Sequence, residues 1–286
     1  MRSAIAFDVD NTLTAPRESL TREMARRLQS LAVPFALAAG SDLLLLMTQF
    51  FEPLQQYGFR GSFDAFVCNG ASRYRCRSGS RLHLDSVEQF SLREHLGENF
   101  DRLWALLARL ASSAEYALPN DFEIIGSVLV DRQAMVNFSP IGRPEGHLSE
   151  AAMRSRQQFV RFDEQTGYRE RLMPALRAAV AERIPGNDLR ITLGGQTSFD
   201  LVVKGRDKSY AVRSLLDEGS EKVIYVGAAL FPGGNDAAVT NFAESWPAGH
   251  ACPVEVVRVN GWRPTAELID SGVLLQQATG FVEKIR

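Results

Sequence analysis

The sequence contains few cysteines and histidines. Its three cysteines, Cys68, Cys76 and Cys252, are an odd number without the close spacing of a zinc site. They therefore argue against a disulfide framework and against structural zinc. The four histidines are scattered along the chain and include no His-x-x-x-His pair.

The sequence also lacks a charge excess and a long apolar run. Lysine and arginine number 32 against 34 aspartates and glutamates, which gives a formal net charge of −2. This balance predicts no obligatory nucleic-acid partner. No apolar run approaches the roughly 18 residues that a membrane-spanning helix needs, and the first residues lack the pattern of a signal peptide. We therefore expect no membrane partner and a cytoplasmic protein.

What the sequence does contain is an ordinary globular composition over 286 residues, with 45% hydrophobic and 23% charged residues. Short apolar runs at 3–9, 34–39 and 63–67 alternate with helical periodicity at 20–31 and 43–51. This alternation is typical of a parallel α/β sheet. In such sheets the functional residues lie at the carboxyl ends of the strands.

The pattern changes after about residue 79, where helices at 92–112 and 159–183 accompany extended runs at 122–138 and 190–203. Buried strands of the first type return near the C-terminus. We therefore predict a Rossmann-like parallel-sheet core with an inserted α+β cap. The predicted core comprises residues 1–79 and 204–286, and the predicted cap residues 80–203.

Two carboxylates, Asp8 and Asp10, follow the first predicted strand, and Thr12 comes two positions later. Residues two apart on a strand point to one side, so both carboxylates can face one site. Close carboxylates repel, and Mg²⁺ is a cation that suits them because it prefers oxygen ligands. Asp8 could then attack phosphorus while Asp10 exchanges protons with the leaving and incoming oxygens. A bare Asp-x-Asp is more often a capping turn, but Thr12 after an apolar strand favours the catalytic interpretation.

The chain resembles the haloacid-dehalogenase superfamily, which has four motifs at strand ends: Asp-x-Asp-x-Thr, a Ser or Thr, a Lys, and an acidic cluster. The sequence contains them in this order as Asp8/Asp10/Thr12, Ser41, Lys208 and Asn235-Asp236. A serine hydroxyl and a lysine ammonium can stabilise a transferring phosphoryl group. Lys204 is an alternative to Lys208, which we prefer because a helix-like run follows it. The resemblance implies that Mg²⁺ is held by Asp8, Asp10, Asn235 and Asp236.

Longer segments resemble eukaryotic-type phosphomannomutases, whose cap is of the C2b type. These segments are FDVDNTLTAPR at 7–17, GSD at 40–42, NFSPIGR at 137–143, GGQTSFD at 194–200 and FPGGND at 231–236. The resemblance implies a mutase that moves phosphate between the 1- and 6-positions of a hexose through an aspartyl-phosphate. It further implies Mg²⁺, a hexose 1,6-bisphosphate activator, and a homodimer formed through the cap.

The resemblance also implies substrate-binding residues where the sequence matches the family. They are Arg17, Arg132, Arg143, Ser198 and Asp200. Guanidinium groups donate paired hydrogen bonds to phosphate oxygens, whereas serine and aspartate suit sugar hydroxyls.

Three positions depart from the family pattern. Ile125 stands where the resemblance implies a cap arginine, which removes one expected phosphate contact. Ala228 stands where the resemblance implies an aspartate of the metal site, and Asn11 replaces a glycine, which is milder because asparagine tolerates turn backbone angles.

Three hypotheses follow: a hexose-phosphate mutase, a sugar-phosphate phosphatase on the same scaffold, and a catalytically weakened sugar-phosphate-binding protein. The retained Arg132, Arg143, Ser198 and Asp200 favour the mutase over the phosphatase. Ala228 favours the binding protein, and the retained nucleophile and acid/base argue against it.

Overall fold

The computed structural model describes residues 2–144, 149–186 and 188–279. The chain divides into two compact units, one formed by Met1–Gln89 with Gly205–Arg286 and the other by Phe90–Lys204. Within the described ranges, no helix combines the length and the apolar composition needed to cross a membrane.

In chain order the strands are β1 (Ser3–Phe7), β2 (Phe35–Ala38), β3 (Gly61–Val67), β4 (Ser72–Ser78), β5 (Leu82–Glu88), β6 (Ser127–Asp131), β7 (Val136–Arg143), β8 (Leu189–Gly194), β9 (Ser198–Val203), β10 (Lys222–Gly227) and β11 (Val254–Arg258). The helices are α1 (Arg22–Ser30), α2 (Leu43–Leu46), α3 (Glu52–Gln56), α4 (Leu92–Leu96), α5 (Glu98–Ala111), α6 (Glu150–Thr166), α7 (Tyr168–Arg183), α8 (Ser209–Asp217), α9 (Ala237–Glu244), α10 (Trp262–Asp270) and α11 (Val273–Thr279). A π-helical turn (Met47–Phe51) joins α2 to α3, and a 3₁₀ turn (Ala114–Tyr116) follows α5.

The first unit contains a seven-stranded sheet in the spatial order β11-β10-β1-β2-β3-β4-β5. The five strands from β11 to β3 are parallel, as the alternating apolar runs predict. All residues of β1 and β2 are buried, which is expected for central strands of a parallel sheet. Phe7 at the end of β1 pairs with Leu37 of β2 and Val226 of β10. The segments that follow these three strands therefore lie together at one edge of the sheet.

The boundary between the units lies after Gln89, whereas the sequence predicts it after residue 79. Strands β4 and β5 form an antiparallel hairpin that extends the sheet of the first unit. Because β5 is an edge strand with mostly exposed side chains, it lacks the continuous apolar pattern by which the central strands are recognised. The other boundary, between Lys204 and Gly205, lies one residue after the predicted one.

The second unit is α+β, as predicted, with a four-stranded sheet in the order β6-β7-β9-β8. Its hydrophobic core includes Phe138, Phe159 and Phe199. The predicted helical region 159–183 is in fact two helices, α6 and α7. They are separated at Gly167, whose backbone φ of 61° is in the left-handed region that favours glycine.

Candidate active site

Asp8 follows β1 and is buried at the carboxyl edge of the first unit's sheet. The next residues turn tightly, because the backbone N–H groups of Thr12 and Thr14 both donate to the carbonyl oxygen of Val9. Asn11 occupies this turn with a φ of 61°, a conformation that asparagine tolerates. The turn returns Thr12 to Asp8, where its Oγ1 donates to Asp8 Oδ2 at 3.2 Å.

Lys208 lies immediately before α8 and is fully buried. Its ammonium donates to Asp8 Oδ1 at 2.5 Å and to Asp236 Oδ1 at 2.6 Å. The alternative lysine, Lys204, has an exposed side chain, and its backbone N–H donates to the carbonyl of Asp188 in the second unit. The structure thus brings Lys208 into contact with Asp8.

Asp236 precedes α9, and three donors hold its fully buried carboxylate. Oδ1 accepts from the Lys208 ammonium and, also at 2.6 Å, from the hydroxyl of Tyr225. Oδ2 accepts from the backbone N–H of Ala229 at 2.7 Å. Both lone pairs of Oδ1 are thus engaged, whereas Oδ2 keeps one lone pair beside its bond to Ala229.

Burial and neighbouring charges shift the pKa values of this cluster. Burial, with repulsion from Asp236 and Asp10, raises the pKa of Asp8 to about 7 against the opposing effect of Lys208. Burial lowers the pKa of the Lys208 ammonium, but attraction from Asp236 and Asp8 outweighs it and raises that pKa above its usual range. Burial and both carboxylates raise the pKa of Tyr225 well above its usual value, so its hydroxyl remains a donor.

Asp10 is held through one oxygen. Its Oδ1 accepts from the backbone N–H of Arg17 and from Nε2 of Gln49, each at 2.7 Å. Gln49 is buried in the π-helical turn and also donates to Thr14 Oγ1 at 3.0 Å. In the part of the chain that the structure describes, no residue donates a hydrogen bond to Asp10 Oδ2. This oxygen therefore remains available for proton transfer or for a cation.

Ser41 and Asn235 lie in the segments that follow β2 and β10. The carbonyl of Ser41 accepts from the backbone N–H of Cys68 at 2.8 Å, and its side chain is buried. Asn235 Nδ2 donates to Asn69 Oδ1 at 3.0 Å. The side-chain oxygen Oδ1 of Asn235 is therefore a potential metal ligand. These contacts connect the segments after β2, β3 and β10 at the same edge as Asp8.

The donor set at this edge fits Mg²⁺ if a substrate phosphate completes the ligand shell. Asp8 supplies a carboxylate oxygen and Asp10 further oxygen atoms, and Mg²⁺ is commonly bound through one or two carboxylates plus phosphate and water. Asp236 already accepts hydrogen bonds from Lys208, Tyr225 and Ala229, which leaves one lone pair on its Oδ2. Across residues 2–144, 149–186 and 188–279, no three His, Cys, Asp or Glu side chains are arranged to hold a metal ion.

A second polar cluster lies in the sheet of the second unit. Asn137 Nδ2 donates to Ser198 Oγ at 2.8 Å and to Asp200 Oδ1 at 2.6 Å, and all three side chains are buried. A Cβ at Gly194 would lie 2.4 Å from Asp200 Oδ1, so glycine is required there.

The two predicted arginines of the second unit lie on either side of β7, one in the turn before it and one at its last position. Arg132 is buried in the turn between β6 and β7, and Arg143 ends β7 with a half-buried side chain. Arg17, of the first unit, contacts Asp10 through its backbone and has a left-handed φ of 60°.

Sequence reasoning missed three residues of these clusters: Tyr225, Gln49 and Asn137. Tyr225 lies in an apolar strand and Gln49 in a helical region, and neither position carries a spacing signal. Asn137 opens the segment NFSPIGR, for whose first residue the resemblance implies no role.

Comparison with known sequences identifies close family relationships. A sequence model described as eukaryotic phosphomannomutase matches residues 21–255, a range that begins after Asp8 and Asp10. Phosphomannomutase from Spinacia oleracea is 30% identical over 247 residues, covering 85% of this chain and 88% of the relative. Human phosphomannomutase 1 is 29% identical over 257 residues, covering 86% of this chain and 85% of the relative.

Comparison with solved structures shows the same fold at low sequence identity. IMP-bound IMP-nucleotidase from Plasmodium falciparum superposes with a TM-score of 0.64 at 12% identity, covering 95% of this chain and 68% of that one. A haloacid dehalogenase-like hydrolase from Bacteroides thetaiotaomicron has a TM-score of 0.53 at 16% identity, covering 95% and 99%. These similarities concern the fold alone and agree with the predicted α/β core with an inserted α+β unit.

Proposed function

Because this chain belongs to the eukaryotic phosphomannomutase family, and so is a phosphoryl-transfer enzyme, we propose that it isomerises a hexose phosphate through a phosphorylated Asp8. The observation that carries this proposal is the buried contact of Asp8 with the Lys208 ammonium at 2.5 Å. A cation that touches the nucleophile can stabilise the negative charge of a phosphoryl group attached there.

In the first half of the proposed reaction, a carboxylate oxygen of Asp8 attacks the phosphorus of a hexose bisphosphate. The new bond joins Asp8 to phosphorus, and the bond between phosphorus and the sugar oxygen breaks. Asp10 donates a proton to that leaving oxygen. The geometry supports Asp10 in this role because Oδ1 is fixed by Gln49 and by the backbone of Arg17, and Oδ2 is left to carry the proton.

In the second half, a hydroxyl of the hexose monophosphate attacks the phosphorus of phospho-Asp8. Asp10 accepts the proton of that hydroxyl, and the bond between phosphorus and Asp8 breaks. Ser41 and Lys208 stabilise the phosphoryl oxygens in both halves. If water attacks phospho-Asp8 in place of the sugar hydroxyl, the second half releases inorganic phosphate and the chain acts as a phosphatase.

We infer that Mg²⁺ is the metal cofactor, held by the Asp8 carboxylate, by Asp10 and by the side-chain oxygen of Asn235. Because Asp10 Oδ2 carries the proton and donors engage Oδ1, Asp10 would hold the ion through its backbone carbonyl. When bound, it would neutralise charge on the carboxylates and the phosphate. Asp236 is better suited to holding Lys208 than to binding metal, because donors engage both lone pairs of its Oδ1.

We infer that the second unit binds the hexose phosphate. Ser198 and Asp200 would contact sugar hydroxyls, and Arg132 and Arg143 would contact phosphate. Arg17 is a separate proposed phosphate contact in the first unit. The buried hydrogen bonds from Asn137 support this role, because they hold the Ser198 and Asp200 side chains in fixed orientations. Family membership also suggests a homodimer through the second unit, which light scattering would test.

The decisive experiment supplies mannose 1-phosphate, Mg²⁺ and a catalytic amount of a hexose 1,6-bisphosphate, and follows products by ³¹P NMR. Formation of mannose 6-phosphate supports the mutase, and formation of inorganic phosphate supports the phosphatase. If neither product forms, both proposals are refuted.

Intact-mass analysis with beryllofluoride tests the nucleophile, since the adduct should form on wild-type protein and disappear in Asp8→Asn. Asp85→Asn is the matched control, because Asp85 is an exposed carboxylate whose ion pair is with the exposed Arg77. An adduct that persists in Asp8→Asn would exclude Asp8 as the acceptor.

A further inference from the structure

Tyr225 reaches the candidate active site from the core below it. It lies in the middle of β10, is fully buried, and pairs in register with Ala6 of β1. The surrounding core cluster includes alanines at positions 4, 6, 36 and 38. Small side chains on the neighbouring strands leave room for the phenol ring, so that its hydroxyl extends to the end of the sheet.

The hydroxyl of Tyr225 donates to Asp236 Oδ1 at 2.6 Å, the same oxygen that accepts from the Lys208 ammonium. Together with the backbone N–H of Ala229 on Oδ2, the hydroxyl fixes both the position and the plane of the carboxylate. Lys208 in turn holds Asp8. The contacts form a continuous chain from Tyr225 through Asp236 and Lys208 to the nucleophile.

A buried tyrosine normally finds some hydrogen-bond partner, so a partner alone does not indicate a role in the reaction. Two other buried tyrosines illustrate the ordinary case. The Tyr168 hydroxyl donates to the carbonyl of Tyr116 at 2.6 Å, and the Tyr116 hydroxyl donates to the carbonyl of Leu172 at 3.4 Å. Tyr225 differs because its acceptor is a charged group that holds the cation on Asp8.

We propose that Tyr225 is a positioning residue for phosphoryl transfer, which orients Asp236 and thereby keeps the Lys208 ammonium on Asp8. The proposal rests on the function proposed above for Asp8. Without the hydroxyl, Asp236 Oδ1 keeps only Lys208 as a donor and its carboxylate can rotate. The ammonium then spends part of its time away from the attacking oxygen.

Tyr225→Phe removes the hydroxyl and keeps the ring, and Tyr168→Phe is the matched control because it removes a buried hydrogen bond of the same length. We expect Tyr225→Phe to lower kcat about 10-fold, the loss of one charge-assisted hydrogen bond. KM for mannose 1-phosphate should stay within about 2-fold, because Tyr225 acts behind the reacting groups. Tyr168→Phe should lower the unfolding temperature and leave kcat unchanged.

A second measurement needs neither metal nor turnover. In metal-free protein the buried Lys208 ammonium should give a ¹H–¹⁵N NMR signal whose protons exchange slowly with water. We expect faster exchange in Tyr225→Phe and no change in Tyr168→Phe. Unchanged exchange in Tyr225→Phe, or a kcat within about 2-fold of wild type, would overturn the proposal. If wild-type protein transfers no phosphate, the function proposed for Asp8 fails while the exchange measurement still tests the contact chain.

Discussion

Gly227, the last residue of β10, lies against Asp236. Its replacement by alanine tests how closely the residues that hold the Asp236 carboxylate are packed. A Cβ at Gly227 would lie 2.7 Å from Asp236 Oδ2, 2.7 Å from Tyr225 Cε1 and 2.9 Å from Asp236 Cγ. Ordinary contacts of a Cβ begin at 3.4 Å, so these atoms must move by about 0.7 Å (3.4 − 2.7). A shift of that size would stretch the 2.7 Å hydrogen bond from Ala229 to Asp236 beyond a useful length.

We expect Gly227→Ala to lower stability by about 1–3 kcal/mol, the usual cost of forcing an extra carbon into a packed region. For a unit of this size, that loss lowers the unfolding temperature by roughly 2–12 °C. The activity should also fall, because Asp236 is displaced from Lys208. Differential scanning calorimetry with a metal chelator measures the first effect, and the isomerisation assay measures the second.

Two glycine variants serve as controls. Among the residues that the structure describes, none has an atom within 4 Å of where a Cβ at Gly79 would lie, and the φ of Gly79 is not left-handed. Gly79→Ala should therefore preserve both unfolding temperature and kcat. Gly58 also faces open space but has a φ of 83°. Gly58→Ala should therefore lose about 1–2 kcal/mol through the backbone alone and keep its kcat. A Gly227→Ala protein that matches wild type in both measurements would show that the packing around Asp236 is looser than the structure indicates.

Three further predictions concern charged groups of the first unit. Ala228→Asp adds a carboxylate beside the metal-binding edge and should lower the Mg²⁺ concentration for half-maximal activity; an unchanged concentration counts against a metal role for this position. Lys208→Met leaves two buried carboxylates without their cation and should cost about 3–5 kcal/mol, so an unfolding temperature equal to wild type contradicts the ion-pair geometry. A hydrogen bond from Arg73 lowers the pKa of Glu218, so their contact stabilises the fold above the unfolded pKa of about 4.5 and is lost as pH falls through the folded pKa. Because Glu218 is half-exposed, Glu218→Gln should lower the free energy of unfolding by less than about 1 kcal/mol near pH 7. An equal loss of unfolding free energy at pH 7 and at pH 3 would contradict this pH dependence.

The elements that could be predicted from sequence are those whose residues share one environment. Strands β1 and β2 are recognisable because all of their residues are buried and all except Ser3 are apolar. Strand β5 is not, because an exposed edge strand carries the mixed composition of a loop. The same effect moved the predicted boundary between the units by ten residues (89 − 79).

Some candidate site residues are likewise recognisable in the sequence, and others are not. Asp8, Asp10 and Thr12 are recognisable because a short segment holds them together and their spacing is meaningful. Gln49 has no such signal, since its acceptor Asp10 is 39 residues away. Tyr225 is also hidden, because one tyrosine in an apolar strand resembles any other core residue until its acceptor is known.

The sequence by itself determined the order of the motifs, the family, and the alternation of strands and helices, because these are properties of neighbouring residues. Only the tertiary structure decided which lysine reaches Asp8 across 200 residues, and which carboxylate oxygens are already engaged. The physical reason is that parallel strands bring their carboxyl ends to one edge whatever their separation along the chain. At that edge, the direction of each buried side chain, rather than its place in the sequence, determines which groups meet.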